Sequence, residues 1–251
     1  MICPEELNAL ITAPSIETLW DRHTRRMADY GFDRLIYGFT RYMTETSLGD
    51  PDDFIVLSNH DTAYLDRFVG GKLYFNAPMV RWAMENDGAQ SWSILHDMAE
   101  TGALTEAERA VIDFNRSMNV TAGYSISFKS VSARAKGAIA LTARPGLDQA
   151  RVDAIWARHG ADILALNNLT HLRILTLPYN GPARILTPRQ REVLEWVGDG
   201  KTVQDIALVM NLTPPTVEKH LRLARKALGV ETTAQAVLKA AFQNQIFVLD
   251  P

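Results

Sequence analysis

The sequence predicts an α+β fold class in two parts: an N-terminal α/β/α sandwich built on an antiparallel sheet, and a C-terminal domain of four helices. Three observations carry this. Over the first 175 residues, stretches of helical and strand spacing follow one another without the strict strand–helix alternation of a parallel sheet. From Leu186 onward the apolar spacing is helical throughout. Between the two, Leu177-Pro178-Tyr179-Asn180-Gly181-Pro182 is a turn-rich stretch. The expected boundaries are therefore 1–176 for the first domain, 177–184 for a linker and 185–251 for the second domain.

The N-terminal elements are taken in order. Ser15 to Tyr30 reads as a helix with Ile16, Leu19, Trp20, His23 and Met27 on one side, ended by Gly31-Phe32-Asp33. His23 reads as a packed or surface histidine, because no second metal-ligating residue stands one turn away. Leu35 to Tyr42 alternates and is rich in aromatic and β-branched residues, and Phe54 to Leu57 is a short apolar run; both predict strands. Asp61 to Phe68 and the residues after Pro78 have helical spacing. Thr105 to Asn119 is a capped helix, with Glu106 and Glu108 behind the capping threonine. Tyr124 to Phe128 and Ala138 to Thr142 are strand-like, and Leu147 to Leu175 is a long amphipathic helix.

Composition sets outer limits. The formal net charge of −3 gives no global attraction to nucleic acid, so any basic surface must be local. From Arg184 onward nine Lys/Arg face seven acids, which leaves the tail mildly basic and the first 183 residues acidic. Cys3 is the sole cysteine, so an internal disulfide is impossible and a reducing cytoplasm is the expected setting. No apolar run approaches the roughly 20 residues needed to span a bilayer. No membrane association is expected.

In the C-terminal part, Thr187 is a candidate N-cap with Pro188 at the first helical position, where its missing N–H is harmless. Val193, Leu194 and Val197 form the apolar stripe, and Gly198 and Gly200 punctuate the end. Thr202 starts a second helix bearing Val203, Ile206, Ala207 and Met210, with Asn211 as its stop. Thr213 is expected to cap a third, with Pro214 first and Val217, Leu221, Ala224 and Leu228 inward. Lys219, His220, Arg222, Arg225 and Lys226 then point largely outward. Two short helices, a tight turn and a helix with a basic outer face make the helix-turn-helix pattern. A basic helix alone reads more simply as a solvated bundle face. Three correctly spaced helices with caps and turn glycines favour a major-groove reader.

This segment resembles the C-terminal domain of the LuxR family, shared with NarL/FixJ-type response regulators, through LTPRQREVLEW, the following GKT, TVEKH and the closing KALGV. Gln190 stands where that pattern has Glu. The resemblance implies that Glu218, Lys219 and Arg222 face base edges and that Thr216 and Lys226 lie nearer phosphate, with Arg225 on the same DNA-binding helix. Glu218 departs from the basic residue common there. An acid can accept from a cytosine amino group, which alters the preferred site without abolishing binding.

The N-terminal domain resembles LuxR-type sensors over roughly residues 15 to 175. Tyr64-x3-Phe68, Pro78, Trp92 and Gly123 fall at the spacings of the family's Trp-x3-Tyr, Asp-Pro, Trp and Gly. By composition, the aromatics Tyr64, Phe68, Tyr74, Phe75, Trp82 and Trp92 read first as core. The resemblance implies instead a pocket for an acyl-homoserine lactone, with Trp82 among its lining. Its polar set is altered: Phe68 lacks a hydroxyl, Tyr64 can still donate, and Ala77 replaces the Asp that accepts from the ligand amide. Asn76 is the nearest alternative acceptor. The site then reads a lactone differently, binds an unrelated molecule, or is filled core. Asn59, His60 and Asp61 add polar groups nearby or form a surface turn.

No nucleophile–base pair at a recognised spacing, phosphate-cradling loop or Cys/His cluster is visible; Ser58, His60 and Asp61 are merely loop neighbours. The expectation is a regulator, without enzymatic activity, cofactor or metal. It would bind DNA as a homodimer on a pseudo-palindromic operator in response to a small molecule. Helix Leu147–Leu175 and the segment Thr232–Phe242 are candidate dimer surfaces. Ala236, Val237, Ala240 and Ala241 form either an intermolecular seam or part of the domain's own core.

Overall fold

The computed structural model describes residues 3–44, 47–130, 132–179 and 185–248. Residues 180–184 of the expected linker lie outside them. The chain divides into two compact units, with the division between Leu175 and Thr176 and a short piece around Pro14–Ile16 grouped with the second.

The N-terminal unit is built on a five-stranded antiparallel sheet of order β2-β1-β5-β4-β3. The strands are β1 (Phe32–Thr40), β2 (Ile55–Ser58), β3 (Gly88–Ser91), β4 (Gly123–Phe128) and β5 (Lys136–Ala143). Preceding β1 are α1 (Pro4–Ile11) and α2 (Ile16–Asp29). Between β2 and β3 come α3 (Thr62–Leu65), a π turn at Asp66–Gly70, a 3-10 turn at Leu73–Asn76, and α4 (Pro78–Glu85). Then follow α5 (Ile94–Glu100), α6 (Glu106–Ser117) and, after β5, the long α7 (Gln149–Ile174). Thr105 caps α6 in a reciprocal capping box with Glu108, as its sequence predicts.

Pairing register sorts the side chains onto two faces. Tyr37, Ile139 and Ile126 occupy one row across β1, β5 and β4. That face is covered by α7: Trp156 stacks on Tyr124 at 3.9 Å and His171 on Phe128 at 4.1 Å. The opposite face carries the rows Ile36–Ala140–Ser125 and Gly38–Ala138–Ser127. These residues are mostly small, so the sheet leaves space there. β4 is buried along its whole length, and its alternation places Tyr124, Ile126 and Phe128 under α7 and the small Ser125 and Ser127 on the other face.

α2 is locked to α7 by a buried polar pair. His23 Nε2 donates to Asn167 Oδ1 at 3.0 Å, and His23 Nδ1 meets Thr170 Oγ1 at 3.0 Å. His23 is therefore a packed histidine with both ring nitrogens occupied.

The structure differs from the sequence expectations at several elements. α1, β3 and α5 were not anticipated. β3 (Gly-Ala-Gln-Ser) has no β-branched residue and exists through its pairing with β4. α5 has no side-chain cap and no fully buried residue, so neither signal marks it. The helix expected over Asp61 to Phe68 begins as the single α-helical turn α3 and then widens into the π turn that carries Phe68.

The C-terminal unit is four helices: α8 (Pro188–Gly198), α9 (Val203–Val209), α10 (Pro214–Leu228) and α11 (Thr233–Phe242). Leu194, Ile206, Val217, Leu221, Leu228 and Ala240 belong to one buried core. Capping boxes start α8 (Thr187 with Gln190), α9 (Thr202 with Asp205) and α11 (Thr232 with Gln235). Gln190 thus retains a role in helix initiation: its Oε1 accepts from Thr187 N–H at 2.9 Å. Thr213 occupies the N-cap position of α10 but its side chain does not cap; its hydroxyl pairs with that of Thr216 at 2.9 Å. Ala236 and Ala240 are fully buried in this core, with Val237 and Ala241 packed against it. The alanine seam therefore serves the domain's own packing, contrary to its use between copies.

Candidate functional site

Between the small-residue face of the sheet and the segment running from α3 to α6 lies a cavity of about 640 Å³. Gly38 explains much of it. It sits mid-strand in β1, is exposed to the cavity, and an added Cβ would meet nothing within 4 Å. Ala138 and Ala140 of β5 continue the same floor. The opposing wall is aromatic and aliphatic. Tyr64 is sandwiched: His60 stacks on it at 4.4 Å, Phe68 at 5.2 Å and Phe114 at 5.5 Å.

Polar groups in this wall are few. The Tyr64 hydroxyl donates to Asn115 Oδ1 at 3.2 Å, and burial holds its pKa well above the ordinary phenol value. Trp92 Nε1 donates to Ser125 Oγ at 3.0 Å. Tyr74, on the turn before α4, also lines the cavity; its hydroxyl is buried and has no hydrogen-bond partner among the described residues. His60 lies behind Tyr64, and burial, helped by Arg34, lowers its pKa to about 4, so it is neutral at pH 7.

Of the residues proposed from sequence as ligand-binding, Tyr64, Phe68, Ala77, Pro78 and Trp92 line the cavity. Asn76 does not: it is exposed at the end of the 3-10 turn and offers no replacement acceptor inside. Trp82 lies on α4 outside the lining, although its α4 neighbours Met79, Val80 and Ala83 are part of it. Gly123 is not in the wall either. A Cβ there would lie 2.2 Å from Leu141 O and 2.9 Å from the Trp92 ring, so this glycine lets Trp92 and β5 approach. Asn59 is structural, accepting from Leu35 N–H at 2.6 Å and donating to Asp33 O at 2.8 Å. Composition alone had placed Tyr74 with the core aromatics, and Gly38, Ala138, Ala140 and Asn115 were not singled out. The small residues in β5 were the available signal for the floor.

The second site is the outer face of α10. At helical spacing, Glu218, Lys219, Arg222, Arg225 and Lys226 fall within an arc of about 120°. Val217, Leu221, Ala224 and Leu228 occupy the opposite side and are buried. Glu218, Lys219, Arg222 and Lys226 are exposed and Thr216 is half-buried. Arg225 is partly committed, donating to Thr233 Oγ1 at 2.9 Å. The turn before α10 is tight because Asn211 takes φ +53°, a left-handed conformation in which Leu212 N–H closes onto Ala207 O at 2.8 Å. Gly229 ends α10 in the same way, at φ +65°. Four cations against one acid make this face a local positive patch on an acidic chain.

A ligand-sized cavity beside an antiparallel sheet, followed along the chain by a separate helix-turn-helix unit, defines the class of ligand-binding DNA-binding regulators. The autoinducer binding domain family matches residues 15–174, and the luxR family of bacterial regulatory proteins matches residues 184–240. The chain belongs to the LuxR family, with an autoinducer-binding domain followed by a helix-turn-helix domain. It is 23% identical over 239 residues to the transcriptional activator protein AnoR of Acinetobacter nosocomialis, covering 93% of this chain and 94% of that one. The activator ExpR of Dickeya dadantii is 23% identical over 223 residues, covering 80% and 82%. The activator BjaR1 of Bradyrhizobium diazoefficiens is 36% identical over 78 residues; that match spans about a third of each chain, 31% and 32%. In fold, the chain is similar to the N-acylhomoserine-lactone-dependent LuxR-family factor CepR2 from Burkholderia cenocepacia (TM-score 0.52, 18% identity, 67% of this chain and 91% of that one). It is also similar to SdiA in complex with octanoyl-rac-glycerol (TM-score 0.53, 13% identity, 95% and 93%). These homologues are transcriptional regulators. Among the described residues no helix is long and apolar enough to cross a membrane.

Proposed function

We propose that this protein is a transcription regulator whose DNA binding responds to a small molecule in the N-terminal cavity, with an acyl-homoserine lactone or a related acyl compound as the ligand class. The cavity carries the reading: at about 640 Å³ it falls within the range of small-molecule sites, and its lining is largely apolar with few polar groups. A molecule that binds only the folded state stabilises it by RT ln(1 + [L]/Kd), which gives a route from ligand to active regulator. The cytoplasm is the proposed setting. The regulator acts as a homodimer that presents two copies of α10 about one DNA turn apart on a pseudo-palindromic operator. Leu238 and Phe242, exposed and one turn apart on α11, support an apolar contact between copies. Arg222, Lys219 and Glu218 are proposed to read base edges, while Thr216, Arg225 and Lys226 hold the backbone.

One observation favours a different ligand. Ala77 is 6% exposed in the cavity wall and provides no side-chain acceptor, so a lactone amide placed there would go unpaired. The loss amounts to about 1–3 kcal/mol, or roughly ten- to a hundredfold in affinity. Thermal unfolding of the full-length protein with acyl- and aryl-homoserine lactones, repeated for Ala77→Asp, tests this. A melting shift of several degrees in the native protein supports the lactone; a shift confined to Ala77→Asp supports a ligand without the amide. For the DNA site, fragments selected by the full-length protein are footprinted. Arg222→Ala should abolish or relax the preferred sequence. Lys226→Ala should weaken binding to all sequences and reduce the salt slope by about one. An unchanged footprint with Arg222→Ala removes the proposed groove face.

A further inference from the structure

The cavity's polar groups fall into two sets. Tyr64 and Trp92 have their donors occupied inside the protein, by Asn115 and Ser125. Thr40 is likewise engaged, donating its hydroxyl to Leu48 O at 2.9 Å. Tyr74 is the exception: it lines the cavity, its hydroxyl oxygen is buried, and no described residue accepts from it. The ring is held from the side by Phe54, edge-on at 6.3 Å, and by Phe75 at 4.4 Å, so the hydroxyl is presented by a fixed aromatic. A buried hydroxyl left without an acceptor is unfavourable, and an acceptor on a bound molecule relieves it.

Charge in the wall points the same way. Arg109, Asp113 and Arg116 touch the cavity but are themselves exposed to solvent, and Arg116 pairs with Asp113 at 2.8 Å. Lys136 is held by Asp87 Oδ1 and Asn86 O, both at 2.9 Å. A charged group carried into the interior would lose its water and, with Lys136 already paired to Asp87, meet no unpaired buried counter-charge in the wall among the described residues. The unmatched group is a neutral donor, and its complement is a neutral acceptor.

We propose that Tyr74 is the specificity-determining residue of this cavity, donating its hydroxyl to a carbonyl oxygen on an uncharged, largely aliphatic ligand. This rests on the reading of the cavity as a small-molecule site and assigns the chemistry it selects. Tyr74 stands three residues before Ala77 on the same turn, so the polar anchor sits on the segment that otherwise lacks one.

The test uses the full-length protein and its Tyr74→Phe variant, which keeps the ring and removes the oxygen. Three chain-matched probes are titrated calorimetrically: 2-decanone, decanoate and decylammonium. The native protein should bind 2-decanone at least tenfold more tightly than either ion. Tyr74→Phe should bind the ketone about tenfold more weakly. Without any probe, Tyr74→Phe should melt at the native temperature or above, because the oxygen it removes has no partner to lose. A lowered melting temperature would show that the hydroxyl is satisfied within the protein and overturn the proposal. Equal ketone affinity for both proteins would overturn the role of Tyr74 while leaving the cavity as a ligand site. Preferential binding of either ion would overturn the neutral-ligand assignment alone. Binding of none of the three would remove both the assignment and the small-molecule reading beneath it.

Discussion

Lowering the pH from 7 to 5 should destabilise the N-terminal unit, and His23 should be a principal cause. Its ring is fully buried between α2 and α7, and desolvation lowers its pKa from 6.5 to about 4. The folded state thus holds the neutral ring where the unfolded chain takes up a proton. A base with a depressed folded pKa contributes stability above its unfolded pKa. That stability declines as pH falls through 6.5 and is fully lost near pH 4. Over the whole window the shift corresponds to about 3 kcal/mol, and between pH 7 and pH 5 to about 2 kcal/mol. His60 and His171 are lowered to about 4 for the same first reason, burial, with Arg34 and Arg41 respectively adding to it. If the three titrate independently, the loss by pH 5 is about 5 kcal/mol, comparable with the whole stability of a small domain. Urea denaturation followed by tryptophan fluorescence is the assay, since Trp20, Trp82, Trp92 and Trp156 all lie in this unit. His23→Gln should remove about one proton from the pH dependence of unfolding. An identical pH slope in the native protein and His23→Gln, or a native midpoint that rises on acidification, would refute the argument.

Two further perturbations separate local from tertiary causes. Gly123→Ala should destabilise the N-terminal unit by about 3 kcal/mol, the upper end of overpacking costs, because the new methyl meets backbone at Leu141 O as well as the Trp92 ring; a urea midpoint at the native value would contradict it. In the C-terminal unit, Thr202→Ala should cost about 1 kcal/mol, whereas Thr213→Ala should cost only a few tenths, since Thr213 makes no capping bond to its helix. Melting of the two variants in parallel checks the order, and equal losses would mean that Thr213 caps after all.

The C-terminal domain was legible in the sequence because its determinants are local. Thr187 and Thr202 each stand three residues before a side chain that completes a capping box, and Gly229 closes α10 in the left-handed region. The apolar spacing of Val217, Leu221, Ala224 and Leu228 fixes which face of α10 turns inward, and with it which cations turn out. The same logic recovered α2, α6, α7 and four of the five strands, whose periodicity or caps lie within a single stretch of chain.

Tertiary structure alone decided the cavity and its chemistry. The space exists because Gly38, Ala138, Ala140 and Ser125 come from three strands far apart in sequence and share one face through antiparallel register. β3 has no pattern of its own and is a strand because β4 offers it hydrogen bonds. Asn76 and Ala77 are adjacent in sequence, yet one is exposed and the other is buried in the wall, and only the turn that carries them determines which. Tyr74 differs from Tyr64 in whether an acceptor lies within reach of its hydroxyl. Periodicity and capping are properties of neighbours along the chain, so the residues by themselves specify them. A void, or a donor without an acceptor, is a relation among residues that only the folded chain brings together.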